Sequence, residues 1–301
     1  MADYNFLSDK EWKLKIDFFR DNYNICKLCP RQCEASRTDD REGVCGAGKE
    51  VKIASYNLHF GEEPPVSGKN GSGTIFFSGC TLKCIFCQNY PISQLRNGEI
   101  YSIEDLSEIF LGLQKRGAHN LNFVSPTPYL YHIVKAIYLA EKKGLNIPVV
   151  YNTSGYERKE IIEKLDGIVD VYMPDFKYSD EKLSLKYSGV KDYMKHADPA
   201  IGEMFKQQGE LKIDEFGIAE NGVIIRHLIL PGNVKNSQDV LKIISKRKYK
   251  GSYLSLMSQF FPAYRSVNDK DLKRRLYSEE YEKVRSLAIS LGFEKGWFQD
   301  I

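Results

Sequence analysis

The amino-acid sequence predicts an α/β protein: an incomplete (βα)6 parallel barrel with a small N-terminal cysteine-rich metal-binding module in front of it. Three observations carry this. From residue 74 onward, six short runs rich in β-branched and aromatic residues alternate with helix-like segments. All seven cysteines lie at or before Cys87, in a group of four and a group of three. Between the groups, the stretch GEEPPVSGKNGSG at 61–73 breaks any periodic pattern with its glycines and prolines. A boundary near residue 70 follows, with the cysteine-rich region over 1–70 and the barrel with a C-terminal helix over 71–301.

The predicted strands are TIFFSG (74–79), LNFVSP (121–126), PVVYNTSG (148–155), VDVYMPDFKY (169–178), GVIIRHLILPG (222–232) and GSYLSLMSQFF (251–261). Between them lie SIEDLSEIFLGLQKRG, YLYHIVKAIYLAEKKG, ERKEIIEKL, a longer polar stretch over 180–209, and SQDVLKIISKRK. SIED has the form of a capping box, with Ser102 as cap and Asp105 as its partner, and two helices end near Gly117 and Gly144. Such alternation means parallel strands joined by right-handed crossovers. From Asn268 onward the chain reads as an amphipathic helix with an aromatic tail.

Charge narrows the function classes. With 43 basic against 40 acidic residues and a net charge of +3, no strong field points to nucleic acid or a membrane surface. The N-terminal segment mixes charges with apolar residues, so it is neither a signal peptide nor a membrane span, and a cytoplasmic protein is expected. In a reducing compartment, clustered cysteines are metal ligands or reactive thiols rather than disulfides.

In parallel α/β architectures ligands bind at the carboxyl ends of the strands. The polar and unusual residues gather there: Cys80 after the first strand, Ser125 and Thr127 after the second, Asn152 to Ser154 after the third, Asp175 and Lys177 after the fourth, Arg226 and His227 on the fifth, Gln259 on the sixth. The loop GCTLKCIFCQNY supplies only three thiolates, Cys80, Cys84 and Cys87. Zinc or a cubane iron–sulfur cluster takes four ligands. Either a distant histidine such as His59 completes a zinc site, or one iron of a cluster stays open to a small molecule.

The C-x3-C-x2-C spacing, with Phe86 directly before its last cysteine, resembles the signature of the radical SAM superfamily. That resemblance implies a 4Fe-4S cluster on Cys80, Cys84 and Cys87, whose open iron chelates S-adenosylmethionine. It also implies reductive cleavage of the sulfonium to methionine and a 5′-deoxyadenosyl radical, which abstracts hydrogen from a substrate. YNTSGY, YMPDFKY and IIRHLILPG resemble segments of the pyruvate formate-lyase activating enzyme branch, and CPRQC, FCQN, PDFKY and RHLILPG together resemble a little-characterised sibling group of it.

Carried over by position, the branch implies that Asp175 and Lys177 form a D-x-K element lining the S-adenosylmethionine site, with Lys177 facing the methionine carboxylate and Arg226 nearby. Met173 and Asp175, with Asn152 and Thr153, match positions that coordinate a monovalent cation, although Asn152 stands where an acidic residue is usual. A Gly-Gly-Glu type segment for the methionyl amino group is replaced by FVSPTPY, where Ser125 and Thr127 offer hydroxyls and carbonyls but no carboxylate. His227, inside an apolar run, reads as a proton donor, a substrate contact or a hydrogen-bonded core residue.

Cys26, Cys29, Cys33 and Cys45 satisfy either a structural zinc or an auxiliary iron–sulfur cluster. The activating-enzyme resemblance implies a flavodoxin or ferredoxin type electron donor and a protein or peptide substrate. The competing class is a non-catalytic zinc or iron–sulfur protein contacting nucleic acid or protein, with SKRKYKG and KDLKRRLY as its basic surface. A cluster used only to carry electrons is the third.

Overall fold

The computed structural model describes residues 2–300. In chain order, α1 (Asp9–Asn24) leads into the cysteine-rich segment, followed by β1 (Val51–His59), α2 (Pro64–Ser67) and β2 (Ser72–Phe77). After the three-cysteine loop come α3 (Tyr90–Ser93), β3 (Glu99–Tyr101), α4 (Ile103–Lys115), β4 (Leu121–Val124) and α5 (Leu130–Glu141). Next are β5 (Val149–Thr153), α6 (Lys159–Glu163), β6 (Val171–Pro174), α7 (Glu181–Ser188), α8 (Tyr193–Gln208), β7 (Lys212–Ile213) and β8 (Ala219–Leu228). The described chain closes with α9 (Val234–Ser245), β9 (Tyr253–Met257), α10 (Ser278–Ser290) and β10 (Gly296–Phe298).

One sheet runs in the order β10-β9-β8-β6-β5-β4-β2-β1-β3, with β7 beside β8. Every pairing from β2 through β10 along this path is parallel, and β1 pairs antiparallel with both β2 and β3. The path has two free ends, so the barrel is open, and the predicted α/β partial barrel is the architecture observed. All six predicted strands are present. Every residue of β5 and β6 is buried, as expected of parallel strands covered on both faces.

The helices follow their local chemistry. Ser102 and Asp105 form the capping box that starts α4, and Ser8 with Glu11 forms a second one at α1. The polar stretch over 180–209 resolves into two helices, α7 and α8. Helix α1, which charge alternation in the sequence did not disclose, buries Trp12 and Phe19 and sets the Trp12 ring 5.6 Å from Tyr138 of α5. Truncating such a buried indole costs about 3–5 kcal/mol.

Two segments extend the sheet beyond expectation. Strand β1 lies within the cysteine-rich region, and its His59 pairs with Ser72 of β2. The aromatic tail continues past α10 into β10, where Trp297 pairs with Ser255 of β9, so the C-terminal segment lengthens one sheet edge. Among the described residues no helix is long and apolar enough to cross a membrane.

Candidate active site at the carboxyl ends of the parallel strands

The three-cysteine loop leaves β2 through Gly79, whose backbone lies in the left-handed region at φ 84°. A Cβ there would sit 2.6 Å from the Cys45 carbonyl oxygen, so only glycine permits this approach. Distant backbone then fixes the loop. Cys80 N–H donates to the Cys45 carbonyl at 3.2 Å, Lys83 N–H to Ser188 at 3.0 Å, Ile85 N–H to Tyr187 at 2.9 Å, and the Ile85 carbonyl accepts from Arg265 and Ser266 at 2.9 Å.

The loop's sulfurs face hydroxyls, with Cys84 Sγ 2.9 Å from Ser188 Oγ and Cys87 Sγ 3.1 Å from Ser93 Oγ. Burial pushes the Cys80 thiol up, and the Cys84 thiol up to about 12. Such thiols lose their protons when a metal binds. Among the described residues no three His, Cys, Asp or Glu side chains are gathered tightly enough to hold a single ion. A cubane carries its thiolates on separate iron corners, so three spread cysteines suit it.

Beside the loop lie two adjoining chambers of about 350 and about 160 Å³, both bounded by Cys84, Cys87, Asn152, Asp175, Lys177 and Arg226. Cys80, Ser125 and Ser154 line the inner chamber, and Phe86, His59 and Gln259 line the outer one. A roomier groove of about 530 Å³ between β1, β3 and α4 contains no cysteine.

A buried ion network joins strands β5, β6 and β8 across the floor. Arg226 Nε donates to Asp175 Oδ1 at 2.9 Å, Arg226 Nη2 to Asn152 Oδ1 at 2.6 Å, and Lys177 Nζ to Asp175 Oδ2. Burial would raise the Asp175 carboxyl, but Arg226 and Lys177 outweigh it and hold its pKa low. Burial likewise works against the Lys177 ammonium, and the Asp175 charge and hydrogen bond keep its pKa raised. Gly155, at φ 77°, lets the β5 loop pass where a Cβ would lie 2.2 Å from the Asp175 carbonyl.

Other expected residues are placed differently. Thr127 is buried away from both chambers and donates to Glu157 Oε1 at 2.6 Å. Met173 is buried with Val150, Val171 and Ile224 in a small apolar cluster. The Asn152 carbonyl accepts from Ser125, the Thr153 carbonyl from Asp175, and Asn152 Oδ1 from Arg226. Each of these oxygens already accepts a hydrogen bond, and Asn152 brings an amide where an acid is usual. His227 is a core residue, its ring nitrogens 2.6 Å from the Phe176 carbonyl and 2.8 Å from Ser237 Oγ, and burial lowers its pKa to about 4. In the basic stretch, Arg247 is occupied by Asp198 at 2.6 Å.

Glu62 and Glu157 were missed by sequence reasoning. Glu157 is fully buried beneath β4 and β5, takes hydrogen bonds from Thr127 and Thr153, and is pushed up to about 7 by burial. Glu62 enters the outer chamber from the loop after β1.

In the N-terminal region, Cys26, Cys29 and Cys45 are buried and Cys33 is half-buried. Arg37 is fully buried among them, with Nη2 3.3 Å from Cys26 Sγ and 3.6 Å from Cys45 Sγ, and Nη1 donating to the Gly48 carbonyl at 3.0 Å. Arg31 ties this region to the barrel loop, its Nε donating to the Thr81 carbonyl at 2.6 Å.

The family profile described as "Radical SAM superfamily" matches residues 74–206, which hold the cysteine loop and the Asp175 and Lys177 pair. The chain carries a radical SAM domain. This radical SAM protein is 31% identical over 295 residues to an uncharacterized protein of Methanocaldococcus jannaschii, covering 95% of this chain and 80% of that one. A second uncharacterized protein of that organism is 25% identical, with 91% and 80% covered. Among solved structures, native anSMEcpe with bound AdoMet is 15% identical at a TM-score of 0.47, covering 72% of this chain and 59% of that one. Methylornithine synthase is 14% identical at a TM-score of 0.43, covering 70% and 59%. This radical SAM protein therefore spans less than two thirds of either solved chain.

Proposed function

We propose that the protein is a radical SAM enzyme that reductively cleaves S-adenosylmethionine and passes the radical to a protein or peptide, in the manner of glycyl-radical activases. One observation carries the reading: the three thiols and the Asp175, Lys177 and Arg226 network share one cavity at the strand ends. Cys80, Cys84 and Cys87 would hold the 4Fe-4S cluster, and the cluster when bound supplies the electron that breaks the sulfonium bond and leaves a 5′-deoxyadenosyl radical.

The chain's own groups bind and orient. Lys177, kept charged by Asp175, offers a cation to the methionine carboxylate. Arg226 holds Asp175 and Asn152 in place, which fixes the cavity floor against the cluster loop. Phe86 packs 6.2 Å from Phe260 and forms part of the outer chamber's wall.

The N-terminal cysteines form a second metal site, zinc or iron–sulfur; a cluster suits the four thiols as they stand, and zinc would require them to draw closer together. Support comes from Arg37, a buried guanidinium whose charge-bearing neighbours are thiols, because such a cation needs thiolates, and thiolates in a buried cluster need a metal. The electron donor is of flavodoxin or ferredoxin type. The test is anaerobic incubation of reconstituted protein with reductant and S-adenosylmethionine. Formation of 5′-deoxyadenosine is expected, and its absence with full iron and sulfide would refute the reading.

A further inference from the structure

The α-ammonium of S-adenosylmethionine calls for an acceptor, and the segment after β4, FVSPTPY, contains no carboxylate. The cavity nevertheless receives one from elsewhere. Glu62 follows β1, lines the outer chamber beside Cys84, Cys87, Lys177 and Arg226, and leaves only 9% of its side chain exposed. Its Oε1 accepts from Asn122 Nδ2 at 3.0 Å and Asn152 Nδ2 at 3.4 Å, and its Oε2 from Arg226 Nη1 at 3.4 Å. A carboxylate has about four acceptor sites, and two of these three contacts are long, so capacity for a strong donor remains.

The loop that delivers Glu62 is held in place. Its N–H donates to Ser67 Oγ at 3.0 Å, closing the α2 turn over Pro64 and Pro65. The Val66 carbonyl accepts from Asn120 Nδ2 at 2.8 Å, and Asn120 Oδ1 accepts from Ser72 Oγ at 2.6 Å, which rivets the turn to β2 and β4. Such support positions a charged group ahead of its ligand.

Charge balance points the same way. Three carboxylates, Glu62, Glu63 and Asp175, lie within 4.0 Å of the Arg226 guanidinium, and Lys177 is the other cation of the group. With all three ionised, one negative charge has no cation of its own, and burial, with the neighbouring Glu63, raises the Glu62 carboxyl accordingly. The Glu63 Oε2 atom is buried with no hydrogen-bond donor. An ammonium in the outer chamber would give the Glu62 carboxylate a partner of its own, while Lys177 stands ready for the same ligand's carboxylate. Arg226 spans Asp175 and Glu62, so the two poles of an amino-acid head group are held at a fixed separation.

We infer that Glu62, supported by Asn122 and Asn152, is the acceptor for the α-ammonium of S-adenosylmethionine and substitutes for the carboxylate missing after β4. This rests on the S-adenosylmethionine reading above.

The test is equilibrium dialysis on anaerobically reconstituted protein, using S-adenosylmethionine and its desamino analogue, in which hydrogen replaces the ammonium. Wild type should bind the parent compound roughly 10–100-fold more tightly than the analogue, the range expected of one charged hydrogen bond. Glu62→Gln should lose affinity for the parent by that factor, bind the two compounds alike, and keep wild-type iron, sulfide and cluster absorbance. Should Glu62→Gln fail to fold, Glu62→Asp serves, with an intermediate affinity and a reduced preference expected. Either variant retaining the full wild-type preference overturns the inference and leaves the proposed function standing. A fully clustered wild type that binds neither compound overturns both.

Discussion

The backbone N–H of Cys80 donates to the carbonyl of Cys45 at 3.2 Å, so the first cysteine of the barrel loop and the last of the N-terminal group share a hydrogen bond. Gly79 makes the approach possible, since an added Cβ would meet that same carbonyl at 2.6 Å. Gly79→Ala should therefore lower iron incorporation at the barrel loop and metal content at the N-terminal site together. Gly112→Ala, whose Cβ would meet nothing within 4 Å in the interior of α4, is the matched control, expected to gain about 0.5–1 kcal/mol without changing metal content. Iron, sulfide and zinc analysis with denaturant titration reads both.

Cys80, Cys84 and Cys87 are expected to act as a unit. Substituting any of them by alanine should remove about four iron per chain and abolish 5′-deoxyadenosine formation while leaving the N-terminal metal in place. Product chromatography beside metal analysis on each variant checks this.

Arg37 is fully buried beside Cys26 and Cys45. Arg37→Met removes the cation and leaves buried thiolate charge uncompensated, so a loss of about 3–5 kcal/mol is expected. Chemical denaturation of the metal-loaded protein measures it. Chelator treatment before the titration should shrink the difference, because thiols without metal regain their protons.

Glu157 gives a pH prediction. Its pKa rises from an ordinary 4.5 to about 7 through burial. Between those values the folded protein holds a proton that the unfolded chain has released, so this group's contribution to stability falls as pH rises through the window. The folded state should lose up to ~3 kcal/mol from this source between pH 4.5 and 7. Glu157→Gln should flatten that part of the profile, as read by unfolding midpoints at several pH values. An unchanged slope in the variant would assign the pH dependence elsewhere, with Asp170, also raised to about 7 by burial, the next group to substitute.

Much of the barrel was legible because buried parallel strands are written as compact apolar runs. VVYNT and VYMP bury every residue, and no competing helical period obscures them. The cysteine loop was legible from spacing, and Asp175, Lys177 and Arg226 from their places at strand ends. Thr127 was misplaced because position after a strand does not say where a hydroxyl points, and here a buried carboxylate captures it. Glu62 went unread because the glycines and prolines of GEEPPVSG looked like a spacer, whereas they form the turn that holds the carboxylate in the cavity. A pair of acids at the head of such a turn was the available signal. The tail GWF is too short for a periodic pattern, and only its register against β9 makes it a strand.

The Ile85 carbonyl accepts from Arg265 and Ser266, and the Tyr187 and Ser188 carbonyls take the N–H groups of Ile85 and Lys83. These partners lie far downstream of the cysteines they steady. On the ribosome, at roughly 5–20 residues per second, the thiols emerge on the order of ten seconds or more before the last of those partners. Throughout that interval the sulfurs have no finished cradle. Maturation of the nascent chain is therefore a matter of timing: oxidants and stray thiophilic metals have access to the cysteines before the barrel can shelter them.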